Sequence, residues 1–274
     1  MSKPLLIRLA SALIGGPAVL FIIFFGDVTF FLLLMVVACL ALYEYINMMA
    51  KKGIRSPLLY SLYPVTAVII YSAFYPGTSY LWTNVWVAIA AVVAIAFFIF
   101  EVIRAKMFLI ENEPALWLRA IFYIALPIAC IILLRKISPY GGLILTVYLF
   151  LCVWLNDVYA YLIGKNWGKH KLYEVISPKK TVEGFWGGLI AVFIFNLIIG
   201  KPYGFVWWQI LFFSVFIPVL ATLGDLSESL LKRTVHTKDS GELMPGHGGL
   251  LDRIDSFLLV VPVYFYIVLY SIHP

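Results

Sequence analysis

Charged side chains are scarce in this sequence. Asp, Glu, Lys and Arg make up 12% of its 274 residues and hydrophobic ones 63%, where a soluble domain averages about 25% charged. So little charge cannot coat a water-soluble body of this size, which excludes a soluble enzyme. No soluble basic domain is left to present a nucleic-acid surface, so nucleic acid is not an expected partner. Cysteine is scarce too. Cys39, Cys130 and Cys152 all lie in apolar runs, without metal-ligand spacing or an even-numbered framework, and are expected to be packing residues. Period-2 alternation, internal repeats and low-complexity linkers are missing as well. The apolar runs instead last about 20 residues, the length of membrane-spanning helices. The expected fold is all-α, a single polytopic membrane domain.

Nine spans are predicted, at 5–25, 28–49, 58–75, 80–103, 116–134, 142–164, 184–200, 205–223 and 254–271. Turn signals separate them, among them Gly26-Asp27, Ser56-Pro57 and Lys201-Pro202. The first run follows Lys3 and Arg8, is too long for a signal-peptide core and has no small-x-small cleavage site after it, so it is expected to stay as a span. With the N-terminus in the cytoplasm, only Arg135, Lys136 and Lys201 of the 20 basic residues fall outside. That bias matches the positive-inside rule and supports the count of nine. The C-terminus then lies outside, and the net charge of +6 is explained by these inner-face residues and their attraction to anionic lipid headgroups.

Polar residues divide the chain unevenly. Residues 1–141 read as scaffold spans; their most notable polar residue, Glu44, is expected to be an interfacial carboxylate reaching the headgroups. Residues 142–274 read as the catalytic part. Asp157 lies inside a span, beside Asn156 and one turn from Tyr161. Burying a carboxylate there is costly, so it faces a cavity or a partner, or joins an interhelical hydrogen-bond network. Farther on, Asp225, Ser229 and Lys232 fall on one face of a helix that leaves the membrane as ATLGDLSESLLKRTV, with Glu228 at its border. Such a stripe marks a wet cavity or a plain amphipathic exit helix.

The segment HTKDSGELMPGHGGLLDRID follows. Its four glycines and one proline, Gly241, Pro245, Gly246, Gly248 and Gly249, allow tight turns and leave amides free to approach a ligand. Asp252 and Asp255 come next, one turn apart at a helix start. They suit the helix dipole, and equally a hard divalent cation that keeps water for substrate phosphates. With Lys232, Arg233, Lys238 and His247 nearby, the pattern points to phosphate and metal together. The loop at 165–182 adds Ser177, Lys179 and Lys180 ahead of Gly184, Gly187 and Gly188. It reads either as a positive-inside loop or as a set of phosphate donors at a glycine-lined helix start.

Taken whole, Ser229 to Asp255, SLLKRTVHTKDSGELMPGHGGLLDRID, closely resembles the hallmark segment of the phosphatidate cytidylyltransferases, or CDP-diacylglycerol synthases. Ser229, Lys232, Arg233, Lys238, Asp239, Gly241, Pro245, His247, Gly248, Gly249, Asp252, Arg253 and Asp255 all fit that pattern. Met244 stands where Leu, Ile or Phe is expected, a conservative change. The upstream stretch ISPKKTVEGFWGG also looks like the family, so detailed resemblance covers roughly the last 120 residues.

The resemblance implies a multispan homodimer in the bacterial inner membrane, in contact with its lipids, with the site facing the cytoplasm. It implies that CTP and phosphatidic acid become CDP-diacylglycerol and pyrophosphate with Mg²⁺; Mn²⁺ is an alternative, and a second cation can be accommodated. Asp225, Ser229, Lys232, Arg233, Lys238, Asp239, His247 and Asp252 are the catalytic candidates. Asp157, Ser177, Lys179, Lys180, Gly248, Gly249 and Arg253 are candidates for substrate binding, and Asp225, Asp252 and Asp255 for the metal. The first two of these acids are expected to share a depth, with Asp255 one turn deeper and weaker. The lipid phosphate is already ionised, so no strong base and no covalent Ser229 intermediate are expected. Two rivals remain: a CTP-dependent lipid kinase, and a cation transporter using the intramembrane acids.

Overall fold

The computed structural model describes residues 24, 26–75, 113–137, 141–243 and 248–272. Seven helices in it are long and apolar enough to cross a membrane. They are α1 (Asp27–Lys51), α2 and α3 in succession (Pro57–Tyr60, Leu62–Phe74), the rod α4–π–α5 (Glu113–Ala120, Ile121–Ala125, Leu126–Lys136), α6 (Gly141–Trp167), α7 (Val182–Ile199), α8 (Trp207–Thr234) and α9 (Leu251–Ile272). Each coincides with a predicted span. The other two predicted spans, at 80–103 and, apart from Phe24, at 5–25, lie outside the described residues.

The chain is apolar on the outside as well as the inside, as lipid solvent requires. On α1, Val28, Leu32, Val36 and Leu40 are exposed along one stripe, while Phe30, Leu34, Ala38, Ala41 and Tyr45 are buried on another. Cys130 and Cys152 are buried packing residues, and Cys39 is exposed. α6 packs on α7, α7 on α8, α8 on α9, and α9 against α5, which also meets α3.

Small residues set the closest of these contacts. On α7, Gly184, Gly187 and Gly188 face inward while Ile190, Ile194 and Ile198 face out, the arrangement by which helices approach in a bilayer. A Cβ on Gly184 would stand 2.6 Å from the Ala160 carbonyl oxygen, and one on Gly188 2.5 Å from the Asn156 side-chain oxygen. Gly184→Ala therefore forces α6 and α7 apart and is expected to cost about 1–3 kcal/mol. Thermal unfolding in detergent checks this; an unchanged midpoint would refute the close contact.

Deeper in the bundle a polar knot ties three helices. Asn196 accepts from the Tyr148 hydroxyl at 2.8 Å and donates to Ser214 Oγ at 3.0 Å. The π-segment in the third rod precedes Pro127, which has no N–H to continue the α ladder. Arg119, just before it, and Tyr123, within it, lie against α8, where they donate to the carbonyls of Ser227 at 3.3 Å and Gly224 at 3.2 Å.

Helix ends that the predicted alternation assigns to one side do meet. Asp27 pairs with Arg135 at 3.5 Å and Lys136 donates to the Phe74 carbonyl at one end. Ser56 donates to Glu113 at 2.5 Å at the other.

The stretch 165–182, expected to be a loop, contains an antiparallel hairpin, β1 (Lys171–Tyr173) and β2 (Ser177–Thr181), with Tyr173 opposite Ser177. Its reason is apolar. Ile176, at its turn, is buried with Leu226 and Leu230 of α8, with Leu172 and Tyr173 packed alongside. Four apolar residues, Leu172, Tyr173, Val175 and Ile176, beside three lysines in 171–181 gave too weak an alternation to reveal strands.

Candidate active site

α8 extends past the bilayer-length stretch to Thr234, so its last three turns carry the polar stripe read from the sequence. The helix closes with Thr237 N donating to the Lys232 carbonyl at 2.9 Å, and His236 at φ 54°, a left-handed turn that frees the chain to double back. The next described residues, from Gly248, lead into α9 at Leu251.

Lys232 sits between two acids. Its ammonium contacts Glu228, one turn back on the same helix, and Asp252 of α9 at 2.5 Å. Its side chain is 10% exposed, and that of Glu228 is fully buried. Asp252 uses its second oxygen to accept the backbone N–H groups of Ser240 at 2.9 Å and Gly249 at 2.8 Å. One carboxylate thus fastens both arms of the glycine-rich segment to the cation on α8. Gly248 takes φ +83°, where a Cβ would also stand 2.9 Å from the same Asp252 oxygen.

A second pair lies deeper. Lys180, at the end of β2, reaches Asp225 at 2.7 Å, and Ser229 donates to the other Asp225 oxygen at 3.1 Å. The hairpin delivers this lysine because Ile176 is anchored one and two turns along α8, and Arg233 donates from α8 to the Ile176 carbonyl at 3.2 Å. Asp157 of α6, hydrogen-bonded to Asn156 at 3.1 Å, lies within electrostatic range of Asp225 and Lys180.

The expected common depth of Asp225 and Asp252 is corrected. Gly224 packs on the backbone of Asp255 and Ser256, so Asp255 stands level with Asp225. Asp252 is one turn, about 4.5 Å, nearer the start of α9. Packing set the stagger, because only a glycine lets α9 approach there, and the sequence spacing alone carried no sign of it.

Of the remaining candidates, Ser177 is half-buried in the hairpin, and Lys179, Lys238, Asp239 and Arg253 are exposed around the cluster. His247 lies outside the described residues. The residue that sequence reasoning misjudged is Glu44. Expected at the headgroups, it is buried and accepts from Leu250 N at 2.9 Å, Leu251 N at 2.8 Å and Ser240 Oγ at 2.9 Å. An acid close to the inner end of an apolar helix looks the same in sequence whether it faces headgroups or another helix's amides.

The donor chemistry suits a hard divalent cation. Asp157, Asp225 and Asp255 lie within electrostatic range of one another, and Glu228 Oε1 is a buried carboxylate oxygen with no hydrogen-bond partner. Among the described residues no three acids or histidines converge into a ready-made cage. Mg²⁺ does not need one, since it binds through one or two carboxylates plus water and substrate phosphates. Lysines interleaved with carboxylates at one end of a helical bundle are what two phosphate-bearing reactants require if they are to meet.

Comparison with known proteins agrees with this reading. The model of the cytidylyltransferase family matches residues 6–271. The phosphatidate cytidylyltransferase of Bacillus subtilis (strain 168) is 34% identical over 271 residues, covering 96% of this chain and 98% of that protein. Those of Staphylococcus haemolyticus (strain JCSC1435) and Staphylococcus aureus (strain COL) are 33% and 34% identical over 260 residues, each covering 94% of this chain and 96% of the relative. The likeness thus takes in the first-half helices along with the motif at the end, and the chain belongs to the cytidylyltransferase family.

Proposed function

We propose that this integral membrane protein transfers the CMP moiety of CTP to phosphatidic acid, giving CDP-diacylglycerol and pyrophosphate for phospholipid synthesis. The observation that carries the reading is the cluster Lys180–Asp225 and Lys232–Asp252 at one end of the bundle, in a chain similar throughout to phosphatidate cytidylyltransferases. A phosphate oxygen of the lipid bonds to the α-phosphorus of CTP. The bond from that phosphorus to the bridging oxygen breaks, and pyrophosphate leaves with the electron pair. Lys180, Lys232, Arg233 and Lys238 screen the repulsion between the two anions. The glycine-rich segment at Gly248 and Gly249, with the Gly249 N–H held by Asp252, lets phosphate oxygens approach the cluster closely. Ser229 orients Asp225 and has no nucleophilic part.

Asp225, Asp252 and Asp255 would hold Mg²⁺, or Mn²⁺ in its place, with Asp157 and Glu228 adding negative charge for a second cation. When bound, the cation supplies charge stabilisation at the reacting phosphates. Purified protein given labelled CTP, phosphatidic acid and Mg²⁺ tests the reading. Label in the lipid extract together with free pyrophosphate is expected; a lipid monophosphate with CDP would mean a kinase instead.

The polar end of the bundle is proposed to face the cytoplasm of a bacterial inner membrane, where CTP is found, with the lipid entering sideways from the bilayer. A homodimer is the proposed assembly. Single cysteines on a cysteine-free background test the orientation: one at Lys171 is expected to react only from the cytoplasmic side, and one at Lys201 only from the other. Labelling of Lys171→Cys from the outer face would reverse the arrangement.

A further inference from the structure

We infer that Glu44 is a positioning residue for the reaction: an acid of the first-half helix α1 that holds the glycine-rich segment and the start of α9 in their working shape. The inference rests on the reaction proposed above, and its tests include one that does not.

The geometry is specific. Oε1 accepts from Leu250 N at 2.9 Å, and Oε2 accepts from Leu251 N at 2.8 Å and from Ser240 Oγ at 2.9 Å. Three donors therefore converge on two carboxylate oxygens that are 1% exposed. Leu250 N and Leu251 N belong to the unsatisfied amides at a helix start, where an anion is stabilised by the helix dipole as well as by the bonds. The carboxylate is slotted between two glycines of the motif. A Cβ on Gly241 or Gly249 would stand 2.5 Å from one or the other Glu44 oxygen. Gly241 is thus required by the Glu44 side chain, and Gly249 by that side chain together with the Ser240 hydroxyl, 1.9 Å from where its Cβ would stand.

Asp252 fastens the same segment from the opposite side, through Ser240 N and Gly249 N. The two acids divide the labour. Asp252 connects the segment to Lys232, and Glu44 connects it to the first-half bundle. Ser240 is the shared point, its N–H going to Asp252 and its hydroxyl to Glu44. Gln cannot replace Glu44. Either orientation of the amide turns its NH₂ toward at least one of the donors, leaving two donors facing each other in a buried place.

Four variants of the full chain in detergent test this. Glu44→Gln is expected to lower kcat/KM for CTP at least about tenfold, a larger effect than its lowering of the unfolding midpoint accounts for. Ser240→Ala removes one donor of three and is expected to give a smaller loss of about two- to threefold. The double variant is expected to be no worse than Glu44→Gln alone, because the hydroxyl acts through that carboxylate. Trypsin cleavage after the exposed Lys238 is expected to quicken about tenfold in Glu44→Gln, whatever the substrate of the protein is. Glu44→Asp, which keeps the charge and both oxygens, is expected to restore part of the activity. Wild-type turnover with Glu44→Gln at the same rate per folded molecule, or unchanged cleavage at Lys238, would overturn the inference. If Glu44→Gln does not fold, unaltered activity and cleavage in Ser240→Ala would do the same. A wild-type chain that makes no CDP-diacylglycerol would refute the proposed reaction, and the cleavage comparison would still decide the role of Glu44.

Discussion

Lys232→Met is expected to cost both the fold and the reaction. The ammonium lies between Glu228, which is fully buried, and Asp252, whose side chain is 9% exposed. Methionine fills the space of the lysine stem and removes the only cation in contact with either acid among the described ion pairs. Breaking a buried pair by deleting one partner costs on the order of 3–5 kcal/mol, because the charge left behind is uncompensated. The sequence alone suggested a lysine in contact with substrate phosphates, whose loss lowers rate or affinity. The observed pairing adds a loss of stability. Adding Glu228→Gln to Lys232→Met should recover part of the lost unfolding midpoint, since Asp252 keeps its two amide donors, while turnover stays low. A Lys232→Met protein as stable as the parent would show that the two acids are not held by that ammonium.

Asparagine at Asp225 or Asp252 is expected to abolish nearly all turnover, with a loss of roughly 100-fold or more. Asn keeps the shape and one acceptor oxygen. At Asp225 the Ser229 hydroxyl bond survives and the charge facing Lys180 does not. Each variant is expected to insert and to keep its assembly. Raised Mg²⁺ or Mn²⁺ is expected to rescue at least one of them partly, as weakened metal binding would require. The stagger of the acids sets the order of rescue. Asp225 stands level with Asp255, so a neighbouring carboxylate remains in Asp225→Asn, whereas Asp252→Asn also loosens the Ser240 and Gly249 amides. Asp225→Asn is therefore the better candidate for rescue. Near-normal rates for both variants at ordinary Mg²⁺ would remove these acids from the reaction.

The helices were legible because each is a long apolar run bounded by turn residues, and a bilayer-spanning helix needs little beyond that. The polar stripe on α8 was legible for a related reason: Asp225, Ser229 and Lys232 repeat at helical spacing in an apolar context. What stayed hidden depended on contacts between distant segments. The hairpin at 171–181 owes its shape to Ile176 meeting Leu226 and Leu230. The alignment of Asp225 with Asp255 rather than Asp252 owes to the missing side chain of Gly224. Glu44, Arg119 and Tyr123 looked like scaffold residues, yet each contacts α8 or the segment that follows it. The division into a scaffold half and a catalytic half describes where the motifs lie, while the contacts cross it.

The link between Glu44 and the start of α9 also fixes an order of events during synthesis. Glu44 leaves the ribosome 206 residues before Leu250, one of its three donors. For most of translation its carboxylate is in the bundle with none of those donors yet made. Two of the three donors, Leu250 N and Leu251 N, are made only as the final helix begins. A chain that stops short of residue 250 would thus carry most of the lysines and acids of the site and still be unable to close it. Such a chain, lacking Asp252 and Asp255 as well, is expected to be inactive.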